Sequence, residues 1–399
     1  MNRSSFSAPG VNTDLFQDFP RTFSLYIHVP FCRNKCSYCD FYSLPVKKNT
    51  EEFFRTYTAF LGRELDLYGK ILSSKRLQSI YLGGGTPSLF SPELLAEVLV
   101  KIQDHFSLSA AAEITLEANP ESLTEKKIQN YVQLGVNRIS LGVQSFQDQE
   151  LSLLGRCHTA DRAHTAAGLL QNSRVNFNID LIFAFPGHTV KSWSDTLDQA
   201  LQFAPDHVSI YNLELKKGTP LADQIEAGER EPTTEEIDLQ MYKKARFKLI
   251  QAGYDHYEIS NFAHPDRQSV HNKIYWQYRP YLGLGPAAHG FSGQKRYYNT
   301  DSLETYYSRL ERGKLPGAEV IDLSKQDLRA EKMMMGLRLL RGVSKEEFAD
   351  RFAVNLEDVY GLEIEKLKRQ GLLGESEKRV FLTDKGIFLG NRVFQEFLP

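Results

Sequence analysis

Three cysteines fall within eight residues, Cys32-Arg-Asn-Lys-Cys36-Ser-Tyr-Cys39, directly after the strand-like run Leu25-Tyr-Ile-His28. The spacing sets three thiols on one tight loop with no fourth cysteine beside them. Thiolates suit iron–sulfur clusters, which normally take four Cys ligands. A cluster held by three would keep one iron open for another ligand. Disulfides explain such a triplet less well in an intracellular protein. A zinc site would want a fourth Cys or His at finger-like spacing. His28 is near, but the strand alternation turns it elsewhere. Cys157 is isolated in sequence and reads as a lone thiol.

Further residues with chemical potential stand at the ends of apolar runs. Gly83-Gly84-Gly85-Thr86-Pro87 follows one such run; glycines allow close backbone approach to a ligand, although a plain turn has the same composition. Glu117 precedes the turn Ala-Asn119-Pro120, where a solvated strand-end carboxylate is the bland reading. Gln144 ends the run from Arg138, and a buried amide there needs hydrogen-bond partners. Arg156 supplies a guanidinium suited to bidentate capture of a carboxylate. Asp180 sits inside Phe-Asn-Ile-Asp-Leu-Ile-Phe, where an acid costs stability unless paired.

These residues need a scaffold, and the pattern predicts one. Strands are expected at 25–28, 79–82, 114–118, 138–143, 177–183 and 207–213, with amphipathic helical stretches between them. Ser91 is placed to cap one such helix, with Pro92 in its first turn. Repeated β–α units imply a parallel sheet with helices outside, in a doubly wound sheet or a barrel. Reactive groups gather at strand ends in barrel enzymes, which is where these residues fall. Residues 1–21 read as a loose lead-in, 22–235 as the β–α domain and 236–320 as a mixed, aromatic-rich extension. Residues 321–399 read as a helical, winged-helix-like domain for packing or partner contact.

The 399-residue chain has a net charge of −2, 41% hydrophobic and 25% charged residues. These values give no sign of a nucleic-acid surface. No apolar stretch approaches the roughly 20 residues that span a bilayer, and the N-terminus lacks the apolar core of a signal peptide. The expectation is a cytoplasmic protein, with peripheral membrane contact left open and oligomeric state undetermined.

The run His28-Val-Pro-Phe-Cys32-xxx-Cys36-x-Tyr38-Cys39 closely resembles the radical S-adenosylmethionine (SAM) superfamily. That resemblance implies a [4Fe–4S] cluster on Cys32, Cys36 and Cys39, SAM bound through its methionine at the open iron, and a partial (β/α)6 barrel. It also implies the family's reductive cleavage of SAM to methionine and a 5′-deoxyadenosyl radical. The later segments, in order, resemble the HemN-like branch over roughly residues 22–300. By that resemblance Gly84, Gly85, Thr86 and Glu117 meet the methionine amino group, Arg156 its carboxylate, and Gln144 and Asp180 the ribose. Tyr38 then flanks the adenine and Tyr26 lines the substrate side.

Within the branch, Cys39 is followed by Asp40-Phe41 rather than a further cysteine, and few residues precede the first strand. Both features resemble the haem-chaperone subgroup HemW rather than the oxygen-independent coproporphyrinogen III oxidases. Val270-His271-Asn272-Lys-Ile-Tyr275-Trp276 resembles the HNxxYW haem motif of that subgroup, implying haem as cargo, His271 as a ligand and acceptor haem proteins as partners. A satisfied His beside core aromatics is the alternative reading, and His289 in Gly283-Leu-Gly285-Pro-Ala-Ala-His289 is a second ligand candidate. The segment Phe-Ala184-Phe-Pro186-Gly187-His188 departs from the Tyr-Gly-Leu-Pro-Gly-Gln usual in relatives, which leaves the adenine side in doubt. Coproporphyrinogen III decarboxylation, or another radical SAM reaction such as methyl transfer, stands as the rival function.

Overall fold

The computed structural model describes residues 13–17, 19–46 and 50–399. Most of the expected lead-in lies outside these. Its described part is anchored: Leu15, Phe16 and Phe19 are buried, and Phe16 meets Tyr68 edge-on at 5.4 Å. No helix among the described residues is long and apolar enough to cross a membrane. The chain divides into two compact units, each discontinuous in sequence.

The first unit holds the described residues up to Lys35 together with Asp40–Ile139 and Pro280–Asp322. Strand β1 (Thr22–Val29) runs parallel to β2 (Arg76–Gly84), which runs parallel to β3 (Ser107–Ala118). On its other side β1 pairs in parallel with Tyr281–Leu284. The sheet then continues antiparallel through His289–Phe291, Lys295–Asn299 and Gly317–Asp322. Helix α1 (Thr50–Ile71) opens with Glu51 and Glu52 and closes with Lys70, each matched to the helix dipole. Helix α2 (Pro92–His105) starts as expected, with Ser91 Oγ accepting from Leu94 N and Pro92 in the first turn. Its buried Leu94, Leu95, Val98, Leu99 and Ile102 fall at helical spacing.

The second unit comprises Cys36–Cys39, Ser140–Arg279 and Leu323–Pro399. It contains most of strand β4 (Arg138–Gln144), then β5 (Asn176–Phe183) parallel to β6 (His207–Asn212). Strand β4 is buried along its whole length, so its polar members must find partners inside. Antiparallel strands Asn261–Ala263 and Asp255–Glu258 extend this sheet beyond β6. The C-terminal part packs helices Lys325–Gly336, Lys345–Phe352 and Leu356–Arg369 against a three-stranded antiparallel ribbon. A capping box between Ser324 and Asp327 starts the first of these helices. Met333, Leu337, Phe348, Leu356, Ile364 and Val380 form the core. The α/β class with a helical, winged-helix-like C-terminal region therefore holds, and the six expected strands are β1–β6.

Candidate functional site

In the first unit, Cys32 lies in a short parallel ladder pairing Phe31–Cys32 with Leu44–Pro45. Thr86 Oγ1 points at its sulfur from 3.5 Å and is itself met by Asn119 Nδ2 at 3.0 Å. The glycine run ending β2 docks on the chain leaving β1: Gly85 N donates to Val29 O and Thr86 N to Phe31 O. A Cβ at Gly85 would come within 2.6 Å of Phe31 O, and one at Gly84 within 2.5 Å of the His28 ring. Gly84 also needs its freedom at φ +105°. These glycines therefore let two strand ends approach, which fixes the backbone beside Cys32.

Glu117 ends β3 where the sequence expects it. It accepts from Gly84 N at 3.0 Å and from the Tyr81 hydroxyl at 2.7 Å, so it is tied to the glycine run. Both ring nitrogens of His28 are engaged by groups other than the thiols. Its Nε2 donates to the Tyr42 carbonyl at 2.8 Å and its Nδ1 accepts from Tyr26 at 3.0 Å. Burial holds the His28 imidazole below its ordinary pKa and pushes the Tyr26 phenol well above its own.

In the second unit, the segment Cys36–Cys39 closes on itself through Cys39 N to Cys36 O. It is pinned to the chain after β4 by Ser37 N to Leu154 O, Ser37 Oγ to Leu153 O, and Leu221 N to Ser37 O. Arg156 donates through Nη1 to the Cys36 sulfur at 3.4 Å and through Nη2 to Gly142 O at 2.8 Å. Tyr38 packs with Leu154, Ile182 and Phe185, and desolvation raises its phenol despite the nearby guanidinium. Gln144 is buried in the left-handed region at φ +69°, and its Oε1 has no hydrogen-bond partner among the described residues. Asp180, half-buried on β5, accepts from Asn178 Nδ2 at 2.7 Å and Ser140 Oγ at 2.9 Å.

The departures after β5 have a local account. Ala184 takes φ +62°, a conformation in which glycine carries no Cβ penalty. His188 stacks on Phe185 with ring centroids 3.9 Å apart, and its Nδ1 accepts from Ala184 N at 3.2 Å. Desolvation lowers its pKa to about 4. The neutral imidazole thus braces the strained turn.

His271 lies on the helix Val270–Trp276 and is fully buried, with Nε2 hydrogen-bonded to the Tyr275 hydroxyl at 2.8 Å. Trp276 packs with Tyr257, Ala263 and Leu339, and Arg338 lies 5.0 Å over its ring. His289, in the first unit, is exposed. Sequence reasoning missed Ser37, Asn119 and His207, whose partners Leu153, Thr86 and Tyr257 lie 116, 33 and 50 residues away.

Cys32, Cys36 and Cys39 are partly exposed and outside any disulfide, and Cys32 and Cys36 each have a donor aimed at sulfur. Thiols met by such donors are of the kind that ligates iron–sulfur clusters, whose properties are tuned by hydrogen bonds to sulfur. No preformed group of three or more His, Cys, Asp or Glu with ligand geometry occurs among the described residues. The choice of ligands thus comes from cysteine spacing.

Comparisons with known proteins place the chain in a family. The family model described as Radical SAM superfamily matches residues 26–200, and that described as HemN C-terminal domain matches 323–389. The "Heme chaperone HemW" of Lactococcus lactis is 35% identical, covering 94% of this chain and 97% of its own. The Bacillus subtilis protein of that name is 32% identical, covering 94% and 99%. The mouse "Radical S-adenosyl methionine domain-containing protein 1, mitochondrial" is 36% identical, covering 88% and 81%. The structure of Escherichia coli coproporphyrinogen III oxidase (HemN) aligns with a TM-score of 0.85 at 22% identity, covering 96% of this chain and 92% of that one, a likeness of fold.

Proposed function

The chain belongs to the HemW family, in the HemN-like branch of the radical SAM superfamily, and from that premise we propose that it holds haem for transfer to acceptor haem proteins while binding a [4Fe–4S] cluster and SAM. Cys32, Cys36 and Cys39 are the proposed cluster ligands. Gly84, Gly85, Thr86 and Glu117 serve the methionine amino group, Arg156 its carboxylate, and Gln144 and Asp180 the ribose. When bound, the cluster supplies an open iron for the methionine head of SAM.

The observation that carries the SAM reading is Gln144. A left-handed, non-glycine residue costs about 1–3 kcal/mol, and a buried amide oxygen without a partner costs about 1–3 kcal/mol besides. Both features in one residue at a strand end are characteristic of a position shaped for a ligand that supplies the missing donor, and a ribose hydroxyl does so. Tyr38 and Tyr26 would border the nucleoside and the substrate side.

Haem ligation by His271 carries a structural requirement. Its ring is enclosed and its Nε2 is engaged by Tyr275, so binding iron means opening the Val270–Trp276 helix. His289 needs no such opening and is the alternative ligand. The function is separated from catalysis by anaerobic incubation of cluster-loaded, SAM-bound protein with coproporphyrinogen III, beside an active oxidase. No vinyl product is expected; decarboxylation at control-like rates would overturn haem carriage as the main function.

A further inference from the structure

Asp180 does not stand alone on β5. Asn178, two residues earlier on the same face, donates from Nδ2 both to Asp180 Oδ1 at 2.7 Å and to Ser140 Oγ at 2.7 Å. Ser140 in turn donates to Asp180 Oδ2 at 2.9 Å. On the other side of the amide, Asn178 Oδ1 faces His207 Nδ1 at 2.6 Å and the Ser209 hydroxyl at 3.1 Å. His207 Nε2 meets the Tyr257 hydroxyl at 2.8 Å. Asn178, His207 and Ser209 are buried to 2% exposure or less.

The proton positions follow from what each group can do. A carboxylate only accepts, so the Asn178 amide must turn its NH2 toward Asp180. Its oxygen must then accept on the far side, which requires the proton of His207 on Nδ1. On the other side of the ring, Nε2 meets the Tyr257 hydroxyl. The donors therefore run in one direction from His207 through Asn178 to Asp180, with Tyr257 behind the ring. Buried and cooperative, this chain fixes the plane of the carboxylate.

We infer that His207 is a positioning residue for nucleoside binding, holding Asp180 in its ribose-accepting orientation through Asn178. The inference rests on the reading of Asp180 as a ribose contact. It adds what neither the cysteine loop nor the glycine run supplies, a fixed second layer behind the ribose.

The test uses two probes without a methionine head, 5′-deoxy-5′-methylthioadenosine and its 2′-deoxy counterpart, bound to the full chain and read by calorimetry. Parent protein should prefer the diol by about tenfold, the scale of one hydrogen bond to a charged group. His207→Leu should lose that preference. His207→Asn, smaller but with an amide N–H where Nδ1–H stood, should keep most of it. Equal loss in both variants with unchanged melting, or full retention in His207→Leu while Asp180→Asn loses the preference, would overturn the inference. Retention in Asp180→Asn would instead remove the ribose reading beneath it. Should the leucine variant not fold, Asn178→Asp sets a second carboxylate beside Asp180. Loss of preference is expected there too, and retention would overturn the inference.

Discussion

Gly155 lies against the backbone of Ser37: a Cβ at Gly155 would come within 2.9 Å of Ser37 N, and the residue sits at φ +67°. The cysteine segment is thus seated on the turn after the helix Asp148–Leu153 by a contact that excludes any side chain. Gly155→Ala should cost about 1 kcal/mol or more from backbone strain alone. It should also displace Cys36–Cys39. Iron content and cluster absorbance after reconstitution should fall more than the melting temperature predicts; unchanged cluster loading would contradict this seating.

Gln144 separates binding from stability. Gln144→Gly relieves the left-handed strain but removes the orphaned amide. Stability should rise by about 1 kcal/mol or more, because the relieved strain and the removed orphan together exceed the greater chain entropy of glycine. SAM affinity should drop about tenfold, the loss of one good hydrogen bond. Denaturant unfolding and anaerobic equilibrium dialysis read the two effects.

The pH dependence of stability contains a term with a defined sign. Burial lowers the His188 pKa to about 4 in the folded chain from an ordinary 6.5. Its contribution is fully present above pH 6.5 and is lost as pH falls through about 4. Within that window the slope is about 1.4 kcal/mol per pH unit for the site. His188→Gln should remove that slope, so the stability difference between variant and parent should move with pH between those limits. A difference constant with pH would contradict the assignment.

Glu64 gives the opposite sign. On α1 it accepts from Gly285 N at 2.9 Å, Asn299 Nδ2 at 2.8 Å and Tyr306 at 2.6 Å. Burial outweighs these donors and pushes its pKa up to about 7 from 4.5. Its contribution is full below pH 4.5 and is lost as pH rises through about 7. Glu64→Gln should therefore gain on the parent across that interval, measured by urea unfolding at several pH values.

Much of this was legible because its signals are local. The cysteine spacing, the Ser91 cap and the apolar runs of β1, β2, β4, β5 and β6 lie within short windows. Strand β3 was read as 114–118 but begins at Ser107. Its first half is small and largely exposed, Ser-Leu-Ser-Ala-Ala-Ala, and carries no alternation. The His207 chain joins partners 29 and 50 residues apart, and Ser37 bonds to Leu153 across 116. No periodicity encodes such pairings. The enclosure of His271 was one of two readings the sequence left open, because its short helix is of mixed polarity and only His271 and Ile274 in it are buried.

The most direct measurement is an anaerobic haem titration of cluster-loaded, SAM-saturated full-length chain, run with His271→Ala and His289→Ala alongside. The account predicts saturable binding by the parent, with loss of the histidine-ligated spectrum in His271→Ala and its retention in His289→Ala. Unaltered haem affinity and spectrum in His271→Ala would remove that ligand. Absence of saturable binding by the parent would contradict haem carriage itself.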